Sequence, residues 1–215
     1  MVRTTGSIRK AVEELASREP AFAGVVEKHG VPEPRASERG AQTLLRTIVG
    51  QQVSVAAARS MWAKLEGAYG SPPDLSRLLE ATDDDLRAAG ISRQKAGYIR
   101  SLALLVISGE LDLEALPDDN EEAIALLTKI KGIGRWSAEI YLLFAEGRPD
   151  VFPAGDLAIL IEIGRLLGLP EKPTEKQLRE IAEAWRPYRG AAAVLAWHSY
   201  NSGSAVLKSE ASPIA

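Results

Sequence analysis

The 215-residue sequence contains no cysteine, only two histidines, two methionines and three phenylalanines. Without thiols there are no disulfides, zinc–thiolate sites or thiolate-held iron–sulfur clusters, and the composition fits a reducing compartment. His29 and His198 have no metal-ligand partners at useful spacing and read as structural residues. No stretch approaches the roughly 18 apolar residues needed to span a bilayer. The opening MVRTTGSIRK has no apolar leader core, so the expectation is a cytoplasmic protein with no membrane partner. Also missing are alternating apolar and polar runs of useful length, internal repeats and low-complexity tracts, which leaves no sequence signal for a sheet or a solenoid. A basic excess is missing too. The net charge of −3 weighs against a nucleic-acid partner, but distribution matters more than the sum. Acids gather at 83–85, 118–119 and 121–122, in positions expected to be first turns or loops.

What remains is helical spacing throughout. Hydrophobic residues make up 46% of the chain, enough to bury a good core as one domain or as two small ones sharing a cleft. Apolar spacing of three and four residues predicts helices over 7–18, 20–29, 40–49, 55–69 and 92–109, with a short one from about Asp83. Another begins near Asn120, and others cover 156–167, 174–185 and 187–201. Ser54 is a candidate N-cap, and Thr174 with Gln177 has capping-box spacing. Residues 202–215 are small and polar and predict a frayed tail.

The most informative stretch is LLTKIKGIGRWSAEIYLLFAEGRPDVFPAGDL, residues 126–157. Gly132 and Gly134 interrupt one apolar helical pattern, and a second starts at once at Arg135, predicting helix, tight hairpin, helix. Glycine permits positive φ and close backbone approach, and the amides opening the second helix lie at the positive end of its dipole. Such a turn can hold a phosphate. Lys129, Lys131 and Arg135 surround it, and no acid occurs between Thr128 and Ala138. Weak non-specific DNA affinity with a steep salt dependence is expected.

The pattern IKGIGRWSAE, an apolar helix and then DVFPAGD resembles the helix-hairpin-helix (HhH-GPD) DNA glycosylase superfamily. The resemblance is closest to its alkylation-repair branch, the 3-methyladenine DNA glycosylase II type, and extends from about Pro20 to Asn201. It implies an all-α fold of two helical lobes around a cleft: residues 40–150 with the hairpin, and 1–39 plus 151–215 with the catalytic aspartate. That aspartate is Asp156, whose ordinary alternative role is an N-cap. At a helix N-terminus after Pro153-Ala154-Gly155 it would be presented rigidly to the cationic sugar of the transition state. Electrostatic stabilisation and activation of water both remain open.

The resemblance further assigns Trp136, Trp197, Ile140 and Tyr141 to the pocket for the extruded base. Related bacterial enzymes place tyrosine four residues after the tryptophan, where this chain has Ile140, and one residue is about 100° of helix rotation. Tyr141 is therefore expected to be turned relative to that pocket. Members that also nick the strand carry lysine at the position of Trp136, and tryptophan cannot form their imine, so a monofunctional enzyme is implied. Gln51 and Gln52, in GQQVS, match the loop that plugs the vacated stack, with glutamine at Gln52 where bacterial relatives often have leucine. Gly132 and Gly134 amides, with Lys129, Lys131 and Arg135, would hold DNA. The carbonyls of Thr128, Ile130 and Ile133 would hold a structural Na⁺ or K⁺, with Lys131 replacing a frequent proline. No catalytic cofactor is implied. The expected function is a monomeric glycosylase removing 3-methyladenine and 7-methylguanine from double-stranded DNA by base flipping, which for a bacterial chain places it at the nucleoid. Excision of etheno- or deaminated purines and a non-catalytic DNA-binding module are the alternatives.

Overall fold

The computed structural model describes residues 5–33 and 37–210, and every regular element among them is helical. The chain divides into two compact units, Ser37–Tyr141 and Met1–Ala36 with Leu142–Ala215.

The unit Ser37–Tyr141 contains α3 (Ala41–Gly50), α4 (Val55–Tyr69), α5 (Leu75–Glu80), α6 (Asp83–Ala88), α7 (Arg93–Ile107), α8 (Asn120–Leu127) and most of α9 (Arg135–Phe144). The helices α4 to α8 start where a side chain accepts from the first turn. Ser54 Oγ accepts the Ala57 amide at 3.2 Å, and Thr82 and Asp85 form a reciprocal capping box that opens α6. Asp74 caps α5 in the same way. The apolar faces supply fully buried Leu44, Leu45, Ile48, Leu65, Leu78, Leu86, Ile99, Leu102 and Leu127. At about 25 cal/mol per Å² of apolar surface removed from water, such a set is what holds short helices that would not persist alone.

The second unit contains α1 (Thr5–Arg18), α2 (Pro20–His29), the end of α9, α10 (Leu157–Leu166), α11 (Glu175–Ala182), a 3₁₀ turn (Glu183–Trp185) and α12 (Arg189–Glu210). Its core joins Val12 and Leu15 of α1 and Phe22 of α2 to Phe152, Ile159, Ile163, Leu178, Trp185 and the Ala191–Ala193 and Leu195–Ala196 face of α12. Trp185 meets both Phe22 and Phe152 edge-on, with centroids 5.1 and 5.9 Å away. Thr174 and Gln177 exchange bonds at the start of α11, as their spacing predicts.

One expectation is overturned. The segment after Asn201 is not irregular, because α12 continues to Glu210. Helix elongation from an anchored segment adds one hydrogen bond per ordered residue, and no proline interrupts the chain before Pro213. Residues 211–215 lie outside the described residues.

Candidate DNA-binding and catalytic residues

α8 ends at Thr128, the chain turns through residues 129–134, and the Gly134 carbonyl accepts the Ala138 amide at 3.0 Å to open α9. Within the turn the Ile133 amide donates to the Ile130 carbonyl (3.0 Å), and the Lys131 amide donates to Ser101 Oγ (3.1 Å). Gly132 has φ +83°, and a Cβ there would fall 2.2 Å from the Tyr98 ring. It is therefore fixed as glycine by conformation and by space together. Gly134 has neither restriction, since its Cβ would meet nothing within 4 Å. A small residue at Gly134 leaves open the approach to the start of α9.

Lys129 and Lys131 are exposed beside the turn. Arg135 behaves differently. Its Nη1 and Nη2 donate to the Glu121 carboxylate (2.8 and 2.5 Å) and its Nε to buried Glu139 (3.0 Å). The Glu121 bonds, with Glu139 in support, raise the guanidinium pKa above its ordinary value. Arg135 is thus exposed but already held by two carboxylates, which compete with a DNA phosphate for its guanidinium. The acid-free window from Thr128 to Ala138 was misleading because one partner comes from the first turn of α8 and the other lies one turn along α9. We expect Lys129→Ala and Lys131→Ala each to weaken binding to undamaged duplex and to lower the slope of log K against log salt by about one. Titrations at several salt concentrations check this, and Arg135→Ala should change the slope much less.

The junction between α3 and α4 forms a loop in the same unit. Gln51 Nε2 donates to the Gly132 carbonyl at 2.8 Å, tying this loop to the hairpin. Gln52 is exposed and has φ +55°, the only non-glycine positive φ among the described residues. Beneath it, buried Lys95 donates from Nζ to the Val49 carbonyl at 2.7 Å, placing a cation at the C-terminal end of α3. Burial pushes the Lys95 pKa down. Gln51, Gln52, Lys95, Tyr98, Gly132 and Trp136 border a cavity of about 880 Å³.

Trp136, in the first turn of α9, is 46% exposed, an unusual position for so large an apolar ring. Ile140, one turn on, is half-buried. Tyr141 is turned into the interior, where its hydroxyl accepts the Gly40 amide at 2.8 Å. It borders no part of that cavity and packs in the interior. The cause is the 100° offset from Ile140.

Asp156 is the N-cap of α10, and three donors converge on its Oδ1: the Ala158 amide (2.9 Å), the Ile159 amide (3.2 Å) and Trp197 Nε1 (3.2 Å). The loop before it is buried from Val151 to Ala154, and the Asp156 amide is itself held by the Pro153 carbonyl at 3.0 Å. The carboxylate is therefore fixed in position and in rotation. Leu157, immediately after it, is 60% exposed, an apolar residue at the surface.

Trp197 reaches Asp156 from α12, and its ring packs on Phe144 with centroids 5.6 Å apart at 31°. Both rings border a cavity of about 390 Å³ with Pro32, Glu33, His198 and Asn201. Phe144, Glu33 and Asn201 were not among the sequence candidates. Asn201 follows Trp197 by one helical turn, and Phe144 follows Ile140 by one, so helical spacing carried a signal for two of the three. His198 Nε2 bonds the His29 carbonyl at 2.9 Å, which makes the pair a tie between α12 and α2.

For the monovalent cation, the Thr128, Ile130 and Ile133 carbonyls offer hard, neutral oxygens of the right chemistry. The Ile130 carbonyl accepts the Ile133 amide and retains its second lone pair, so the donor set is compatible with such an ion.

The family model for the "HhH-GPD superfamily base excision DNA repair protein" matches residues 45–187. DNA-3-methyladenine glycosylase 1 of Schizosaccharomyces pombe is 35% identical over 160 residues, 73% of this chain and 70% of that protein. Some other curated relatives are longer, and the chain spans about half of their length. A crystal structure of a DNA-3-methyladenine glycosidase from Bacillus halodurans superposes with TM-score 0.82 at 30% identity, covering 91% of each chain. The S. pombe 3-methyladenine DNA glycosylase in complex with abasic DNA gives TM-score 0.75 at 31% identity, covering 91% of this chain and 97% of that one. The chain therefore belongs to the HhH-GPD superfamily of base excision DNA repair proteins.

Proposed function

We propose that this protein is a monomeric, monofunctional DNA glycosylase that hydrolyses the N-glycosidic bond of alkylated purines, 3-methyladenine first and 7-methylguanine next, in double-stranded DNA. The observation that carries the proposal is the carboxylate of Asp156, immobilised by two α10 amides and the Trp197 indole. Relatives bearing the 3-methyladenine glycosylase name supply the substrate class.

A base inside the duplex cannot be reached, so the nucleotide has to leave the stack, at a cost of a few kcal/mol. The hairpin grips the phosphates through main-chain amides near Gly132 and Gly134 and through Lys129 and Lys131. A monovalent ion on the Thr128, Ile130 and Ile133 carbonyls would add positive charge facing the same phosphates. Gln52, exposed and held in the left-handed region, is the side chain that fills the vacated stack, while Gln51 braces the loop. As the glycosidic bond breaks, the base departs with the bonding electrons and the sugar becomes a cation. A fixed carboxylate stabilises that charge without reorganising at the moment of reaction. Water adds to the sugar, loses a proton and leaves an intact abasic site. Alkylation at N3 or N7 makes the attached base cationic, which favours stacking on an aromatic ring such as Trp197, worth on the order of 0.5–2 kcal/mol, and improves the leaving group.

DNA treated with a methylating agent tests the reading. The protein should release 3-methyladenine and 7-methylguanine, identified by chromatography, and leave strands that nick only after alkali. Release of no base, with duplex binding retained, would sink it. Strand nicking trapped by borohydride would sink the monofunctional part.

A further inference from the structure

Resting on the glycosylase reading, we infer that Glu33 is a specificity-determining residue that reads the positive charge of the alkylated base. The 390 Å³ cavity beside Trp197 falls within the range of roughly 300–1,000 Å³ typical of small-ligand sites. It has the composition of a site for a flat organic cation. Phe144 and Trp197 supply π faces, Asn201 supplies an amide that can donate to or accept from a heterocycle edge, and Glu33 supplies the only carboxylate on its border among the described residues. Trp197, one of those two rings, is also the side chain that donates to Asp156 Oδ1. The cavity is therefore one side chain away from the carboxylate that serves the sugar.

Two basic neighbours of Glu33 among the described residues are engaged elsewhere. Arg9 borders a small neighbouring void with Glu33, but its Nε is directed to Glu13 at 3.3 Å. His198 spends Nε2 on the His29 carbonyl. A carboxylate on the border of a cavity lined by two aromatic rings attracts a cation more than a neutral ring of the same shape, because ion–ion and cation–π terms add for the first and vanish for the second. The same physics predicts where the effect appears. The base leaves as a neutral molecule, so Glu33 stabilises the bound substrate and contributes to binding and discrimination rather than to the chemical step.

The test uses two competitors of nearly the same shape, 7,9-dimethylguanine, assayed at a mildly acidic pH where N1 keeps its proton and the ring is cationic, and 9-methylguanine, which is neutral there. Each is titrated against 3-methyladenine release by the wild-type protein and by Glu33→Gln. The wild type should be inhibited more strongly by the cation. Glu33→Gln should lose about 3- to 10-fold of that preference, the scale of a partly solvated ion pair, through weaker inhibition by the cation alone. KM for methylated DNA should rise by a similar factor, and kcat should not fall, because the lost contact belongs to the bound cationic base more than to the transition state. An unchanged ratio in the variant, or no inhibition by either compound at saturation, overturns the inference. So does an equal loss for both compounds, because that reports shape instead of charge. Failure of the wild type to release any base is a separate result, and it overturns the glycosylase reading itself. Glu33 is exposed, so the variant is expected to fold, and unchanged thermal unfolding verifies it.

Discussion

Replacing Asp156 with Asn is expected to leave a folded, DNA-binding protein that releases almost no base, with kcat lower by about 10³-fold or more. Asparagine caps helices about as well as aspartate, and its Oδ1 can accept the same three bonds from Ala158, Ile159 and Trp197. Geometry, hydration and helix start are all retained, and only the negative charge is removed. Loss of a preorganised charge at a developing ion costs about 4 kcal/mol, which converts to roughly 10³ in rate. Base release and binding to abasic duplex, measured on one preparation, separate the two functions. Residual activity within tenfold of the wild type would show that Asp156 is a cap and no more. Loss of DNA binding together with activity would point instead to a collapsed α10 start.

The second large effect is expected at the hairpin, where two glycines two positions apart should respond oppositely. Gly132→Ala forces a side chain into the left-handed region and into the Tyr98 ring, 2.2 Å from the new Cβ. The conformational penalty of about 1–2 kcal/mol and the overpacking penalty of about 1–3 kcal/mol add to about 3 kcal/mol. For a chain of this size that lowers Tm by roughly 6–12 °C. Because the Gly132 carbonyl also holds Gln51, the loop carrying Gln52 should be displaced with it. Gly134→Ala meets no atom and needs no unusual φ, so its stability should be unchanged. Its DNA affinity should nevertheless fall, because a methyl group then stands where a phosphate approaches α9. Thermal unfolding and duplex titration of both variants check the pair, and a destabilised Gly134→Ala would contradict the assignment.

Much of this was legible in the sequence because it is local. Caps such as Ser54 and Thr174 act within one turn, and the glycine spacing at 132 and 134 announces a tight hairpin whatever surrounds it. Features that need two distant segments were not legible. Arg135 reads as a DNA-facing cation along the chain, and only the folding of α8 against α9 shows Glu121 closing on it. The aromatic cavity of the second unit escaped notice for the same reason, since Glu33, Phe144 and Asn201 are 168 positions apart from first to last. The inward turn of Tyr141 was half legible. The offset from Ile140 forecasts its rotation, but the Gly40 amide that receives it lies about a hundred residues upstream. The extension of α12 past Asn201 was obscured by composition, because small residues that offer little to bury still elongate a helix already under way.

Gln52 carries a consequence for how such a protein searches DNA. Its φ of +55° is held by the protein's own contacts, between Gln51 anchored on the Gly132 carbonyl and Lys95 anchored on the Val49 carbonyl. A glutamine in that region costs on the order of 1 kcal/mol relative to residues at ease there. That cost is settled at folding and does not recur at each encounter. Under the proposed function the probing side chain is a preorganised tool whose backbone needs no further ordering as it enters the stack. Interrogation of successive base pairs is then governed by the strength of the DNA itself, and weakly stacked or mispaired sites yield first.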